Sequence, residues 1–112
     1  MKRGEIWWAS MEEPQGSEPG FRRPVIVVSS NDFNKSLIST VTVAIVTSNL
    51  RLSEAPGNFK LPKKVSQLSR DSVVNVSQVV TLDKSLLTET VGKLDAKHCN
   101  LLDAGLRLAL NL

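Results

Sequence analysis

The sequence has few of the residues that build disulfide-stapled or metal-bound folds. It contains one cysteine, Cys99, and one histidine, His98. A single cysteine cannot close an internal disulfide, and no Cys/His spacing fits a zinc site, so we expect a protein of a reducing compartment, by default the cytoplasm. We expect neither a signal peptide nor a membrane span, because no apolar run approaches the roughly 18 residues that a span needs.

Most hydrolase signatures are also missing. The chain has no tyrosine, no glycine-rich phosphate loop and no GxSxG motif around a serine. His98 falls in a segment of helical spacing, where a packed histidine is expected rather than a catalytic base. Glu12 and Glu13 are loop neighbours, which we interpret as a solvated acidic turn. An enzyme of this composition must therefore rely on other side chains.

The length of 112 residues suits one domain, residues 1–112, which can bury a core without a structural metal. Fourteen Lys and Arg residues against eleven Asp and Glu give a formal net charge of +3, and the sequence pI is about 9.3. This mild excess favours a polyanionic partner, but a solvated cationic face would give the same count.

The first two thirds of the chain are typical of β structure. Runs of β-branched and aromatic residues alternate with Gly, Pro and Ser, and no repeat or linker interrupts them. The pattern predicts a small antiparallel barrel without a domain boundary. The expected strands are residues 4–9, 24–30, 41–47, 58–61 and 72–78.

The last third changes character. Residues 83–87 suggest a short helical turn, and residues 94–112 keep apolar residues at helical spacing. Leu94, Leu101 and Leu108 are expected on one stripe, which Leu102, Leu106, Ala109 and Leu112 broaden into a face that packs on the barrel. Gly105 costs this helix about 1 kcal/mol relative to Ala; it either allows close approach of another backbone or has no structural role.

The segment between the first two strands is long for a hairpin. Residues 10–23 (SMEEPQGSEPGFRR) hold two prolines and two glycines and end in two arginines. Loops of this length in compact domains are usually functional or disordered. Pro24 biases Arg23 toward an extended backbone, from which a guanidinium can clamp a phosphate through two parallel hydrogen bonds. Thr47, Ser48 and Asn49 end another strand and could add hydrogen bonds. An ordinary strand-edge arginine and a turn-capping threonine remain the alternative.

Five blocks resemble, in order and spacing, those of the MazF/PemK/Kid toxins. They are KRGEIWWA, GSEPGFRRPVIVVS, TVTVAIVTSN, RDSVVNVSQVVTLDK and VGKLDAKHCNLLDAGLRLAL, and together they cover nearly the whole chain. The resemblance implies a mainly β fold with a C-terminal helix, an SH3-like small barrel of the CcdB/Kid plasmid-maintenance type. It also implies a cytoplasmic homodimer whose interface forms an RNA groove, a cognate antitoxin with a short acidic segment, and DNA binding together with that antitoxin.

The resemblance also implies a reaction. In the family, the RNA 2′-hydroxyl attacks the adjacent phosphorus and leaves a 2′,3′-cyclic phosphate and a 5′-hydroxyl end, so neither a metal nor another cofactor is expected. Cleavage of single-stranded mRNA at specific sequences would then inhibit translation and growth.

The family's catalytic residues carry over to Arg23, which binds the scissile phosphate, and to Thr47, which hydrogen-bonds the developing phosphorane. Arg22 is an extra cation where many relatives carry a different residue. The expected RNA-binding residues are Gly16, Ser17, Glu18, Arg22, Ser48, Asn49 and Gln78. Other cations that could share phosphate contact are Lys60, Lys63, Lys64 and Arg70.

Two other functions stay open at this stage. A CcdB-like toxin would have the same fold but inhibit gyrase and cut nothing, and its action would depend on C-terminal residues. A non-catalytic SH3-like module would bind nucleic acid or peptide, which the barrel alone permits. Retention of Arg23 and Thr47 favours the ribonuclease.

Overall fold

The computed structural model describes residues 1–11 and 22–112. The strands are β1 (Glu5–Ser10), β2 (Arg22–Val27), β3 (Thr40–Thr47), β4 (Phe59–Leu61), β5 (Ser72–Asp83) and β6 (Leu87–Lys93). The helices are α1 (Asn31–Asn34), α2 (Lys63–Ser66) and α3 (Ala96–Leu110), with 3-10 turns at Leu50–Glu54 and Lys84–Leu86. Gly16, Ser17 and Glu18, together with Glu12 and Glu13, lie outside the described residues. In the described ranges, no helix has both the length and the apolarity to cross a membrane.

The six strands form one antiparallel sheet in the order β4-β5-β3-β2-β1-β6. Its curl comes from β5, whose pairing with β3 jumps from Val79 opposite Ala44 to Asn75 opposite Ile45. The intervening residues of β5 form a bulge, and bulges bend a strand and increase its twist. The sheet becomes a half-barrel, and the predicted small β-barrel fold with a C-terminal helix is confirmed.

All five predicted strands are present, although their ends shift. The strand predicted at residues 72–78 continues to Asp83, and β6 was missed. β6 is an edge strand whose residues Thr88, Glu89 and Thr90 are exposed, so it has no apolar alternation to recognise. The predicted helical turn at residues 83–87 is a 3-10 turn, capped where Asp83 accepts hydrogen bonds from the amide and hydroxyl of Ser85.

The core is divided between the two faces of the sheet. The larger cluster fills the concave face under α3 and includes Ile6, Ile26, Val46, Leu102 and Leu106. The second cluster lies on the opposite face, because alternate residues of β2 and β3 point there. Its buried members are Ala9, Val25, Val27, Val41, Val43, Ile45 and Leu87.

The face that α3 buries differs from the predicted stripe. Its buried residues are His98, Leu102, Gly105 and Leu106, whereas Leu101 and Leu108 are 38% and 61% exposed. Leu94 is buried but precedes Asp95, the residue that caps the helix, and therefore does not define its face. The prediction that Leu94, Leu101 and Leu108 share one buried stripe was wrong. Packing selects the row at i, i+4 and i+8 instead.

Two glycines bring α3 against the loop before β4. A Cβ on Gly105 would collide with the carbonyl oxygen of Gly57, and a Cβ on Gly57 would lie 2.9 Å from Val76 Cγ2 and 3.0 Å from the Gly105 oxygen. Gly57 also has a φ of +81°, which residues with a Cβ rarely adopt. Of the two alternatives for Gly105, the structure shows the close approach of another backbone.

Candidate active site

Pro24 determines where the sheet opens. The ladder between β2 and β3 contains only Val25, Ile26 and Val27 on its β2 side, and Pro24 has no N–H with which to extend it. β2 nevertheless begins at Arg22, because β1 pairs with Arg22, Arg23 and Pro24. The tips of β2 and β3 thus lie side by side beyond their last ladder pair, and a pocket opens there.

The pocket has a volume of about 600 Å³. Its apolar lining includes Trp8, Pro24, Val46 and Leu68, and its cations are three arginines. None of the described residues that line it is acidic. Apolar walls with a few convergent cations suit a ligand that carries both flat apolar groups and negative charge. The full lining is Trp8, Arg22, Arg23, Pro24, Val46, Thr47, Ser48, Leu68, Ser69, Arg70 and Ser72.

Arg23 and Thr47 line this pocket together. In the β2–β3 register Val25 lies opposite Ile45, and two further steps along the strands place Arg23 across from Thr47. Directly opposed side chains of antiparallel strands leave the same face of the sheet. Arg23 is exposed and Thr47 half-buried, and Thr47 Oγ1 accepts a hydrogen bond of 3.1 Å from the Asn49 amide. An exposed guanidinium and a hydroxyl held in place by its own loop can both reach one phosphate.

Arg22 has a different environment. Its guanidinium carbon lies 4.9 Å from the centroid of the Trp8 ring, and its Nη2 donates to Glu89 Oε1 at 2.9 Å. Arg22 therefore joins β2 to β1 and β6. Its charge is partly neutralised by Glu89.

The other predicted RNA-binding residues are only partly brought together. Ser48 lines the pocket. Asn49 does not, and its side chain instead caps the 3-10 turn that follows, accepting from the Arg51 amide at 3.2 Å. Gln78 is exposed in the β5 bulge, away from the pocket lining, and accepts a 3.0 Å hydrogen bond from Asn75 Nδ2.

The sequence analysis did not predict four of the lining residues, namely Trp8, Leu68, Ser69 and Ser72. It listed Arg70 together with Lys60, Lys63 and Lys64, and of these four cations only Arg70 lines the pocket. Thr47 pairs with Val73, which places the start of β5 beside the end of β3. A predicted antiparallel pairing of the third and fifth strands would have identified residues 68–72 as neighbours of Thr47 and hence as candidate pocket residues.

The remaining polar groups lie outside the pocket. His98 is 6% exposed, and its Nδ1 lies 2.6 Å from Asp95 Oδ1, consistent with the packed role predicted for it. The hydrogen bond from the His98 amide lowers the pKa of Asp95, and burial raises the pKa of the Cys99 thiol. Across residues 1–11 and 22–112, no three His, Cys, Asp or Glu side chains cluster as metal ligands would.

Comparisons with known proteins show the family of the chain. The family model described as PemK-like, MazF-like toxin of type II toxin-antitoxin system matches residues 2–110. The endoribonuclease MazF6 of Mycobacterium tuberculosis (strain H37Rv) is 46% identical over all of this chain and 98% of its own length. The endoribonuclease EndoA of Bacillus subtilis (strain 168) is 32% identical, covering 100% of this chain and 96% of its own.

A solved structure has the same fold. It is an endoribonuclease in complex with its cognate antitoxin from Mycobacterial species, with a TM-score of 0.79 and 22% identity. The match covers 100% of this chain and 96% of that one.

Proposed function

The chain belongs to the PemK-like, MazF-like toxins of type II toxin-antitoxin systems, and from that premise we propose how its arginine pocket acts on RNA. It is an endoribonuclease toxin, as are relatives that align with its full length. Its substrate is single-stranded mRNA, cut at specific sequences, and the result is inhibition of translation and growth. The observation that carries this proposal is the juxtaposition of Arg23 and Thr47 in a cationic pocket.

The reaction needs only the substrate's own nucleophile. The RNA 2′-oxygen forms a bond to phosphorus as the bond from phosphorus to the 5′-oxygen breaks, leaving a 2′,3′-cyclic phosphate and a 5′-hydroxyl. The 2′-hydroxyl loses its proton and the leaving oxygen gains one. Arg23 neutralises the charge that develops on the phosphorane, and Thr47 donates a hydrogen bond to it. A guanidinium stays protonated in proteins, so Arg23 acts as an electrostatic clamp.

Cleavage in a chelator tests the reaction. Purified protein incubated with a long transcript in EDTA is expected to produce discrete fragments with 5′-hydroxyl ends, because Arg23 supplies the positive charge that a metal would otherwise provide. The measurement is 5′-end mapping of the fragments with and without prior phosphorylation of their 5′ ends, because a 5′-hydroxyl end can be ligated and mapped only after phosphorylation. Binding without cleavage would favour the SH3-like module, and loss of activity in EDTA would refute the metal-free mechanism. A CcdB-like toxin would leave RNA intact and inhibit gyrase.

The active form is proposed to be a homodimer. The described surface exposes Leu108, Leu110 and Leu112 on and beyond α3, and Leu110 and Leu112 line one groove with the half-exposed Phe33 of α1. Contiguous exposed apolar groups commonly mark a protein interface. Light scattering at micromolar concentration is expected to give twice the chain mass, and Leu110→Asp is expected to shift it toward the monomer. A monomeric mass for the unmodified protein would refute the dimer.

The antitoxin is proposed to inhibit by occupying the RNA site. Carboxylates of a disordered acidic segment can compete with phosphates for Arg23 and Arg70, and such a segment can wrap a broad surface. Adding the cognate antitoxin is expected to displace a fluorescent, non-cleavable 2′-O-methyl RNA from the protein. Arg23→Ala is expected to weaken both ligands. A stable ternary complex with both ligands at full occupancy would contradict a shared site.

A further inference from the structure

Arg22 and Arg23 are neighbours in sequence but belong to opposite faces of β2. Successive residues of a strand point to opposite faces of a sheet. Arg23 shares its face with Val25, a member of the second core cluster, and Arg22 shares its face with Pro24. Both arginines line the pocket, but they reach it from opposite faces of β2. Arg22 requires a separate explanation.

Trp8, Arg22 and Glu89 lie on one face and come from three strands. Trp8 pairs with Pro24 on one side and with Glu89 on the other, and Arg22 lies diagonally across from Trp8, two residues before Pro24. The stacking distance of 4.9 Å and the ion pair of 2.9 Å hold the guanidinium between the indole and the carboxylate.

Stability does not account for this arrangement. The Arg22 and Glu89 side chains are 51% and 65% exposed, and exposed ion pairs contribute little to folding free energy. The arrangement instead presents a flat guanidinium, backed by the indole, at the rim of the pocket that Trp8 and Arg22 both line. Unpaired nucleobases stack on such planes of arginine and aromatic side chains.

We propose that Trp8, Arg22 and Glu89 form a nucleobase subsite that determines part of the RNA sequence preference, which rests on the proposed ribonuclease function. A base suits this site better than a phosphate, because Glu89 neutralises Arg22 and its carboxylate would repel phosphate oxygens. The base stacks on the Arg22 plane. Arg23 and Arg70 hold the backbone.

Glu89 gives the subsite its selectivity. A carboxylate is an acceptor with room for more than the one hydrogen bond that Arg22 donates. It favours bases with an exocyclic amino group, namely adenine, cytosine and guanine. Uracil is disfavoured, because its single N–H donor lies between two carbonyl oxygens that the carboxylate repels.

The cleavage test compares sequence preferences. Wild type, Arg22→Ala, Glu89→Gln and Trp8→Phe digest one long transcript, and the bases around every cut are read from 5′-end mapping. In Arg22→Ala the preference at one position next to the cut is expected to weaken, and the KM for one defined RNA is expected to rise about 5- to 150-fold, the range for losing one stacked base. Glu89→Gln is expected to admit uracil there, and Arg51→Ala, an exposed cation outside the pocket, is expected to change nothing. Unchanged preferences in both Arg22→Ala and Glu89→Gln would overturn the proposal.

A binding test separates this proposal from the cleavage chemistry. Trp7→Phe leaves Trp8 as the only tryptophan of the chain. In that background, 2′-O-methyl oligoadenylate is expected to quench Trp8 fluorescence, and an abasic oligomer with the same number of phosphates is not. Arg22→Ala is expected to weaken the quenching. Equal quenching by the abasic oligomer would overturn the base subsite and leave the proposed function standing. A wild type that never cuts RNA would overturn the proposed function.

Discussion

Arg23→Ala is expected to lower the rate of RNA cleavage by about 10²- to 10³-fold, the usual effect of removing one preorganised donor from a developing oxyanion. The variant should fold normally, because Arg23 is exposed at the tip of β2 and belongs to neither core cluster. Single-turnover cleavage of one defined RNA gives the rate, and circular dichroism checks the fold. Thr47→Ala is expected to behave similarly.

Arg51→Ala is the matched control for this experiment. It removes the same charge from an exposed residue that does not line the pocket, so its cleavage rate is expected to equal that of wild type. Arg23→Lys should recover little activity, because an ammonium cannot reproduce the two parallel hydrogen bonds of a guanidinium. Wild-type cleavage by Arg23→Ala would show that the active site has been assigned to the wrong residues.

Gly57→Ala is expected to lower the free energy of unfolding by about 2 to 4 kcal/mol. Left-handed backbone costs a residue with a Cβ about 1 kcal/mol or more, and crowding a packed contact costs about 1 to 3 kcal/mol. Both penalties apply, because the new Cβ would lie 2.9 Å from Val76 Cγ2 and 3.0 Å from the Gly105 carbonyl oxygen. Urea denaturation measures the loss.

Gly4→Ala separates the two penalties. Gly4 has a φ of +89°, close to that of Gly57, but a Cβ there would meet only Cys99 Sγ at 3.4 Å. This variant should therefore lose only the conformational penalty, about 1 kcal/mol. Equal losses at Gly4 and Gly57 would mean that Val76 and Gly105 shift to make room for the added Cβ at no cost in stability.

The sequence predicted those parts of the site that depend on short stretches of chain. The Arg-Pro step and the polar end of the third strand are local patterns, and their strands are short β-branched runs. Glu89 could not be found in this way, because β6 is exposed at its centre and pairs with β1 from about 80 residues further along the chain. Arg70 likewise becomes a pocket residue only once β5 pairs with β3.

The buried face of α3 could not be predicted from residue spacing either. Spacing alone placed Leu101 and Leu108 with Leu94, but burial also depends on what the helix meets. Gly105 and Leu106 face the Gly57 loop and the sheet, and this contact rotates Leu101 and Leu108 toward solvent. Of these two residues, Leu108 belongs to the apolar surface that we assign to a second copy of the chain, and no pattern in a single chain could distinguish such a surface from core.

The pairing of the first and last strands, β1 and β6, limits how early the chain can finish folding during its synthesis on the ribosome. Thr88 donates a hydrogen bond to the Trp8 carbonyl across 80 residues of sequence, so the β1 edge stays unpaired until most of the chain has been synthesised. Pairings this distant are slow to form, because loop-closure entropy must be overcome before the contacts exist. During that interval an exposed β1 edge can pair with another chain. The late synthesis of β6 therefore makes assembly of the complete pocket rim one of the last events of folding, and leaves the strand that carries Trp8 open to aggregation in the unfinished chain.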